Sequence, residues 1–155
     1  MAKAKGEKLI ADNRRARHDY QLLDRYEAGL VLTGTEVKSL REGKTSLQQA
    51  YGEVREGEAW LVGVHIAEYD QGNRANHDPD RPRKLLLHRR EIDRLYGQVR
   101  EKGLTVVPTR LFFKDGRVKV ELALARGKEL RDKRRDIADR DARRQIEREL
   151  KSVRR

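Results

Sequence analysis

Asn13, Arg14, Arg15, Arg17 and His18 crowd one amide, three guanidinium groups and an imidazole into six positions. That set suits hydrogen bonding to phosphate and 2′-hydroxyl groups, as in an RNA clamp. On composition alone the run reads equally well as a solvated N-terminal segment. Two further basic groupings share this ambiguity. Lys38 and Arg41 stand three apart, on one face of a short helix. Arg81-Pro82-Arg83-Lys84 is a basic loop with a restricted backbone, suited to phosphate and also ordinary as a surface turn. Among the aromatic residues, Tyr20, Tyr26, Phe112 and Phe113 are candidates for stacking on bases, with packing the stronger reading. Trp60 is expected in the core.

Catalytic patterns are missing. There is no G-x-x-x-x-G-K-[ST] phosphate loop, no G-x-S-x-G elbow and no H-E-x-x-H helix. The histidines His18, His65, His77 and His88 are scattered. His77, Asp78 and Asp80 could ligate a hard metal, but a turn held by side-chain–backbone hydrogen bonds is the better reading. Glu36, Glu42, Glu53 and Glu58 lie close in sequence without suggesting a paired carboxylate site. The expectation is a binding protein and not an enzyme, with neither metal nor cofactor.

The partner's chemistry follows from charge. Across 155 residues the net charge is +11 and the sequence pI is about 10.1, which favours nucleic acid over an anionic membrane. The absence of cysteine excludes disulfides and thiolate zinc sites and fits a reducing compartment. No apolar run approaches the roughly 20 residues that span a bilayer. Met1 to Lys8 lack the apolar stretch of a secretory signal. A cytoplasmic protein without a membrane partner is therefore expected.

Elements that could position the basic residues are legible in the pattern. Strands are expected over 20–23 and 28–32, with a short helix over 36–41 signalled by the capping-box spacing of Thr33 and Glu36. Segments 51–55 and 58–66 read as a hairpin about Glu56-Gly57, with Trp60, Val62, Val64 and Ile66 on one face. A long loop covers 70–83 and a brief strand 85–87. Ile92, Leu95, Tyr96 and Val99 give residues 89–102 the spacing of an amphipathic helix closed by Gly103. Segments 104–113 and 117–125 pair about Asp115-Gly116, and in the second Val118, Val120, Leu122 and Leu124 alternate with Arg117, Lys119, Glu121 and Ala123. Six or seven short strands with so few helices exclude a βαβ sheet. The fold expected is mainly β with short helices, a small antiparallel barrel of OB type.

The division expected is a body over 1–125 and a basic arm over 126–155. In the arm, thirteen Lys/Arg oppose seven Asp/Glu, so it carries +6 and the body +5. Asp136/Arg140, Asp139/Arg143, Arg143/Glu147 and Glu147/Lys151 are helix-supporting pairs worth roughly 0.2–0.5 kcal/mol each. Ala138, Ala142, Ile146 and Leu150 make only a thin apolar stripe. Because helix nucleation is costly, the arm is expected to be disordered when free and helical on a phosphate-rich surface.

Six blocks in register resemble the SsrA-binding protein (SmpB) family. They are residues 13–20 (NRRARHDY), 26–30 (YEAGL), 34–44 (GTEVKSLREGK), 78–88 (DPDRPRKLLLH), 103–108 (GLTVVP) and 125–134 (ARGKELRDKR). The resemblance implies an OB-type barrel that binds the tRNA-like domain of transfer-messenger RNA. It implies delivery, with elongation factor Tu, to ribosomes stalled without a codon, the C-terminal tail entering the empty mRNA channel as a helix. It places RNA binding on Asn13, Glu27, Leu86 and Lys119, with Arg14, Arg15 and Arg17 alongside. It places the ribosome-contacting tail determinants on Gly127, Asp132, Lys133 and Arg134, in a protein acting as a monomer. One departure stands at the tail junction. The family's usual Gly-Lys-Lys reads Gly127-Lys128-Glu129 here, so no strict charge requirement carries over to position 129. The alternative from the residues alone is a general OB-type RNA-binding or ribosome-associated protein.

Phosphate contacts imply a steep salt dependence. In titrations of RNA binding against salt, the logarithm of the association constant should fall with log[salt] by roughly 0.7–0.9 per phosphate neutralised. A flat profile would remove phosphate from the interface.

Overall fold

The computed structural model describes residues 6–72, 75–127 and 140–150. Its elements in chain order are β1 (Glu7–Asp12), α1 (Arg14–Asp19), β2 (Tyr20–Leu30), α2 (Gly34–Arg41), β3 (Thr45–Ser46) and β4 (Tyr51–Arg55). After these come β5 (Glu58–Val62), β6 (His65–Ile66), β7 (Arg83–Leu86), α3 (Arg89–Lys102), β8 (Thr105–Lys114) and β9 (Arg117–Gly127). The β4–β5 and β8–β9 hairpins turn on Glu56-Gly57 and Asp115-Gly116. All four residues have positive φ, between 50° and 79°, the backbone that matches tight turns to the strand twist.

Strands β4, β5, β7, β2, β9 and β8 pair in that order, and β8 also pairs with β4. The result is a closed antiparallel ring of six strands, with β1 added to β8. Gly52 makes the closure possible. A Cβ there would lie 2.7 Å from Val106 Cγ1, so a side chain would hold β4 off β8. Inside, Leu61, Leu85, Leu111, Val120, Leu122 and Leu124 are buried, and α3 adds Ile92 and Leu95. The expected alternation in β9 holds from Arg117 to Leu122 and then lapses, because Ala123 and Ala125 are buried as well, Ala125 beneath Ala16 of α1. Strand β9 continues through Gly127, two residues past the expected body boundary.

Several expectations change. The N-terminal residues read as a polar start form β1, and the basic cluster is a helix, α1. The two strands expected over 20–32 are one, interrupted by a register shift between Leu22 and Arg25. The hairpin strand expected to reach residue 66 ends at Val62. Gly63, at φ 82°, resets the alternation, so Ala59 and Leu61 face the core before it and Val64 and Ile66 after it. Trp60 therefore points outward, correcting its assignment to the core. Residues 140–150 are helical with every residue exposed, Ile146 and Leu150 included.

The loop before β7 is tied down by a buried charge pair. Glu36 and Arg83 are 0 % and 1 % exposed, and Arg83 Nε donates to Glu36 Oε2 at 2.8 Å. Arg83 also donates to the carbonyls of Val64 (2.6 Å) and Pro79 (3.0 Å). Arg81 pairs with the same carboxylate, and Glu36 completes the capping box by accepting from Thr33 N at 2.8 Å. The basic loop thus differs from the expectation of a surface turn: Arg83 is a buried structural tie, while Arg81 and Lys84 remain partly exposed. His77 is buried beside it, its ring nitrogens 2.9 Å from Ile66 O and from Thr35 Oγ1. The turn expected at Asp78 is present, its carboxylate accepting from Asp80 N at 3.0 Å. Among the described residues no group of acidic, His or Cys side chains could hold a metal ion.

Burial alone would raise the Glu36 carboxyl. Hydrogen bonds from Arg81, Thr33 and Arg83, with Arg83's charge, hold it below its ordinary 4.5. A lowered folded value means that Glu36 contributes full stability above its unfolded value and loses it as pH falls through the folded one. Glu36→Gln, which strands the buried Arg83 charge, should cost about 3–5 kcal/mol in urea unfolding at neutral pH. Its stability should also fall less steeply than the wild type's on acidification. Equal acid slopes would show that Glu36 is not the responsible group.

Candidate nucleic-acid interface

Asn13 builds the first part of the site from beneath. Its side chain caps α1, accepting from Ala16 N at 3.2 Å, and donates to Pro108 O at 2.8 Å and Leu47 O at 3.2 Å. The residue is 3 % exposed and its amide is fully used. This corrects the expectation of a direct Asn13 contact with phosphate: Asn13 positions α1. Ala16, buried against Val107 and Ala125, docks the helix on β8 and β9. Arg14, Arg15 and Arg17 are left exposed. Arg15 pairs with Asp19 at 3.3 Å and Arg17 with Asp12 at 2.7 Å, both exposed pairs that hold a guanidinium weakly.

The second part lies toward the other end of β2. Glu27, Leu86 and Lys119, far apart in sequence, line one groove of about 630 Å³. Strand register brings them together. Leu9↔Phe112, Phe112↔Lys119, Lys119↔Gly29 and Gly29↔Leu86 are successive cross-strand partners. One row on the outer face thus crosses β1, β8, β9, β2 and β7. Leu86 is 54 % exposed, an apolar side chain presented to solvent beside an ammonium group. Gly29 is the floor: a Cβ there would lie 3.3 Å from Leu86 Cβ and 3.7 Å from Lys119 Nζ. Glu27 faces Lys114, whose Nζ is 3.3 Å from both carboxylate oxygens.

Beside this row, Glu121 ties the outer face together. It accepts from Arg25 at 2.8 Å and Arg110 at 3.0 Å, and Arg110 also reaches Glu7 at 3.3 Å. Burial acts to raise Glu121, but hydrogen bonds from Arg110, Thr109 and Arg25 hold it below its ordinary value. Phe112 lies buried with the Arg110 guanidinium 4.1 Å from its ring centroid. Of the other stacking candidates, Tyr26 and Phe113 pack against the main core and Tyr20 against the α1 cluster. The Tyr26 hydroxyl is buried with no hydrogen-bond partner among the described residues, and burial raises its pKa.

The surface brings acceptors, donors and apolar area side by side. The family model described as "SmpB protein" matches residues 10–152. The chain belongs to the SmpB family. An SsrA-binding protein from Nocardia farcinica is 62 % identical over 150 residues, covering 97 % of this chain and 94 % of that protein. Another, from Syntrophomonas wolfei, is 60 % identical over 149 residues, covering 96 % and 95 %. A solved structure described as "tmRNA-SmpB: a journey to the center of the bacterial ribosome" matches with a TM-score of 0.65 at 52 % identity. It covers 77 % of this chain and 85 % of that chain.

For this SmpB chain, Gly127 ends β9 opposite Tyr20 and is exposed. Asp132, Lys133 and Arg134 lie outside the described residues, as does the Lys128-Glu129 junction. The sequence reading missed Gly29. Its position two residues after Glu27 on one strand was the available signal, since both then share a face.

Lys119→Ala should weaken RNA binding and lower the salt slope by roughly one phosphate's share, with the fold unchanged. Gly29→Val should weaken binding with little change in that slope, because it crowds Leu86 while the flexible Lys119 ammonium can still reach its phosphate. Mobility-shift titrations at several salt concentrations separate the two. Wild-type affinity in both variants would exclude the groove.

Proposed function

We propose that this protein binds the tRNA-like domain of transfer-messenger RNA and delivers it to stalled ribosomes. The observation that carries the reading is the convergence of Glu27, Leu86 and Lys119 on one groove over Gly29, in a chain whose relatives are named for binding SsrA RNA. The exposed arginines of α1 stand at the start of β2 and the groove toward its end, up to about 30 Å of strand apart. An RNA with a folded shape can span both, whereas a short unstructured strand satisfies one at a time. This protein catalyses no covalent step in that task; it recognises, escorts and positions.

The body over 1–125 carries RNA recognition and the arm over 126–155 engages the ribosome, entering the empty mRNA channel at the decoding site. The exposed helix over 140–150 supports the second role, since an apolar stripe this thin gains little by packing on the body. In that role the remainder of the arm orders on ribosomal RNA, where phosphate contacts offset the entropy of ordering. Gly127, Asp132, Lys133 and Arg134 are its contact residues. Elongation factor Tu joins in the delivery complex, and the protein acts in the cytoplasm as a monomer.

Binding to the tRNA-like domain, competed with excess ordinary tRNA and an unstructured oligonucleotide, tests the recognition half. Selective, competitor-resistant binding is expected; equal loss to every competitor would reduce the protein to a general basic RNA binder. Truncation after Leu130 tests the division of labour. RNA affinity should survive while ribosome rescue is lost in a reconstituted translation assay, and a collapse of RNA affinity would refute the two-part scheme.

A further inference from the structure

The only tryptophan in the chain does no core work. On β5 the neighbours Ala59 and Leu61 are buried in the main cluster, while Trp60 points to the outer face. A half-buried indole on a barrel exterior, with no hydrogen-bond partner for its N–H among the described residues, is unusual. Tryptophan carries a large apolar area that normally packs, and an N–H that normally finds an acceptor.

Its surroundings indicate what it faces. Across the strands, Trp60 stands opposite Glu53 on β4 and Lys84 on β7. Val31, 46 % exposed, donates its backbone N–H to Lys84 O at 3.0 Å on the far side. One row therefore runs Glu53, Trp60, Lys84, Val31. Lys84 and Leu86 both line the groove that holds Glu27 and Lys119, so this row continues that surface. Lys84 Nζ is 3.1 Å from Glu58, and Glu53 is 2.9 Å from Arg55. These exposed pairs are weak and open to competition from a ligand. With its charges nearly balanced, the row is better suited to an exposed base and its sugar than to phosphate alone.

We propose that Trp60 and Lys84 extend the RNA interface, the indole stacking on an unpaired base of the bound RNA while Lys84 contacts its phosphate. The proposal rests on the reading of the groove as an RNA site. The bases that stack on aromatic side chains are those in single-stranded loops and bulges. The ligand segment is therefore an unpaired loop of the folded RNA, adjacent to the part over Gly29.

Because Trp60 is the single tryptophan, its fluorescence reports this contact alone. Titrating the full chain with the tRNA-like RNA should quench the emission in step with binding measured by mobility shift. The complex should also protect Trp60 from acrylamide. Trp60→Phe, which keeps a ring, should bind within about threefold of wild type. Trp60→Leu should bind roughly ten-fold or more weakly, as expected for a lost stack, with an unchanged salt slope. RNA binding without quenching or acrylamide protection would overturn the proposal and leave the groove reading intact. So would wild-type affinity in Trp60→Leu, which would turn the surface toward a protein partner. No binding of the RNA by the wild-type chain, seen by mobility shift, would instead overturn the function on which the proposal rests.

Discussion

The buried Glu36–Arg83 pair fixes what the rest of the site depends on. Removing two charges from water is costly, and the pair is retained here with nearly every donor and acceptor occupied. Glu36 belongs to the first turn of α2 and Arg83 opens β7, so the contact sets where β7 enters the ring. Two and three residues later that strand delivers Leu85 to the core and Leu86 to the outer face. Lys84, next to Arg83 and itself lining the groove, inherits its position from the same anchor. A neutral apolar replacement could stabilise as much, but it would not hold the carbonyls of Val64 and Pro79, through which the loop before β7 is fastened.

A closed barrel gives an RNA-binding protein a rigid exterior without sheet edges inside the ring. Its interior takes the alternate residues of each strand, so the exterior is free to carry chemistry that packing would forbid. The outer row from Leu9 to Leu86 shows this use. Phe112 is buried there beneath a guanidinium, Lys119 stands half-buried beside it, and Gly29 leaves a dip that neither neighbour fills. Such a surface combines an apolar ledge, a cation and a carboxylate within a few strands. Recognition of a folded RNA needs that mixture, since phosphate contacts set affinity while bases and sugars supply selectivity.

Local rules were readable wherever a residue's own chemistry decided the outcome. Asp115-Gly116 and Glu56-Gly57 turn with positive φ, which their glycines adopt freely and Asp115 tolerates. Thr33 and Glu36 cap α2, and the spacing of Ile92 and Leu95 gives α3. Residues that depend on distant partners were misjudged. Asn13 reads as an RNA-binding amide and is instead a buried cap, because Pro108 and Leu47 offer it carbonyls. Arg83 reads as a surface cation, yet α2 supplies the carboxylate that lets it be buried. Trp60 reads as core until Gly63 shifts the alternation after β5.

By itself the sequence determined the hairpin turns, the Thr33 cap of α2 and the Gly103 stop of α3, the β-rich class, the basic charge and, through six ordered blocks, the family. These follow from near-neighbour sterics, periodicity and composition. Only the tertiary structure decided which strand edges meet and which side of each strand faces out. Strand register has a period of two, so a single glycine or bulge exchanges inside for outside, and the signal for pairing is spread over the whole chain. That is why Glu27, Leu86 and Lys119 come to line one groove across three strands, over a glycine whose contribution is the side chain it lacks.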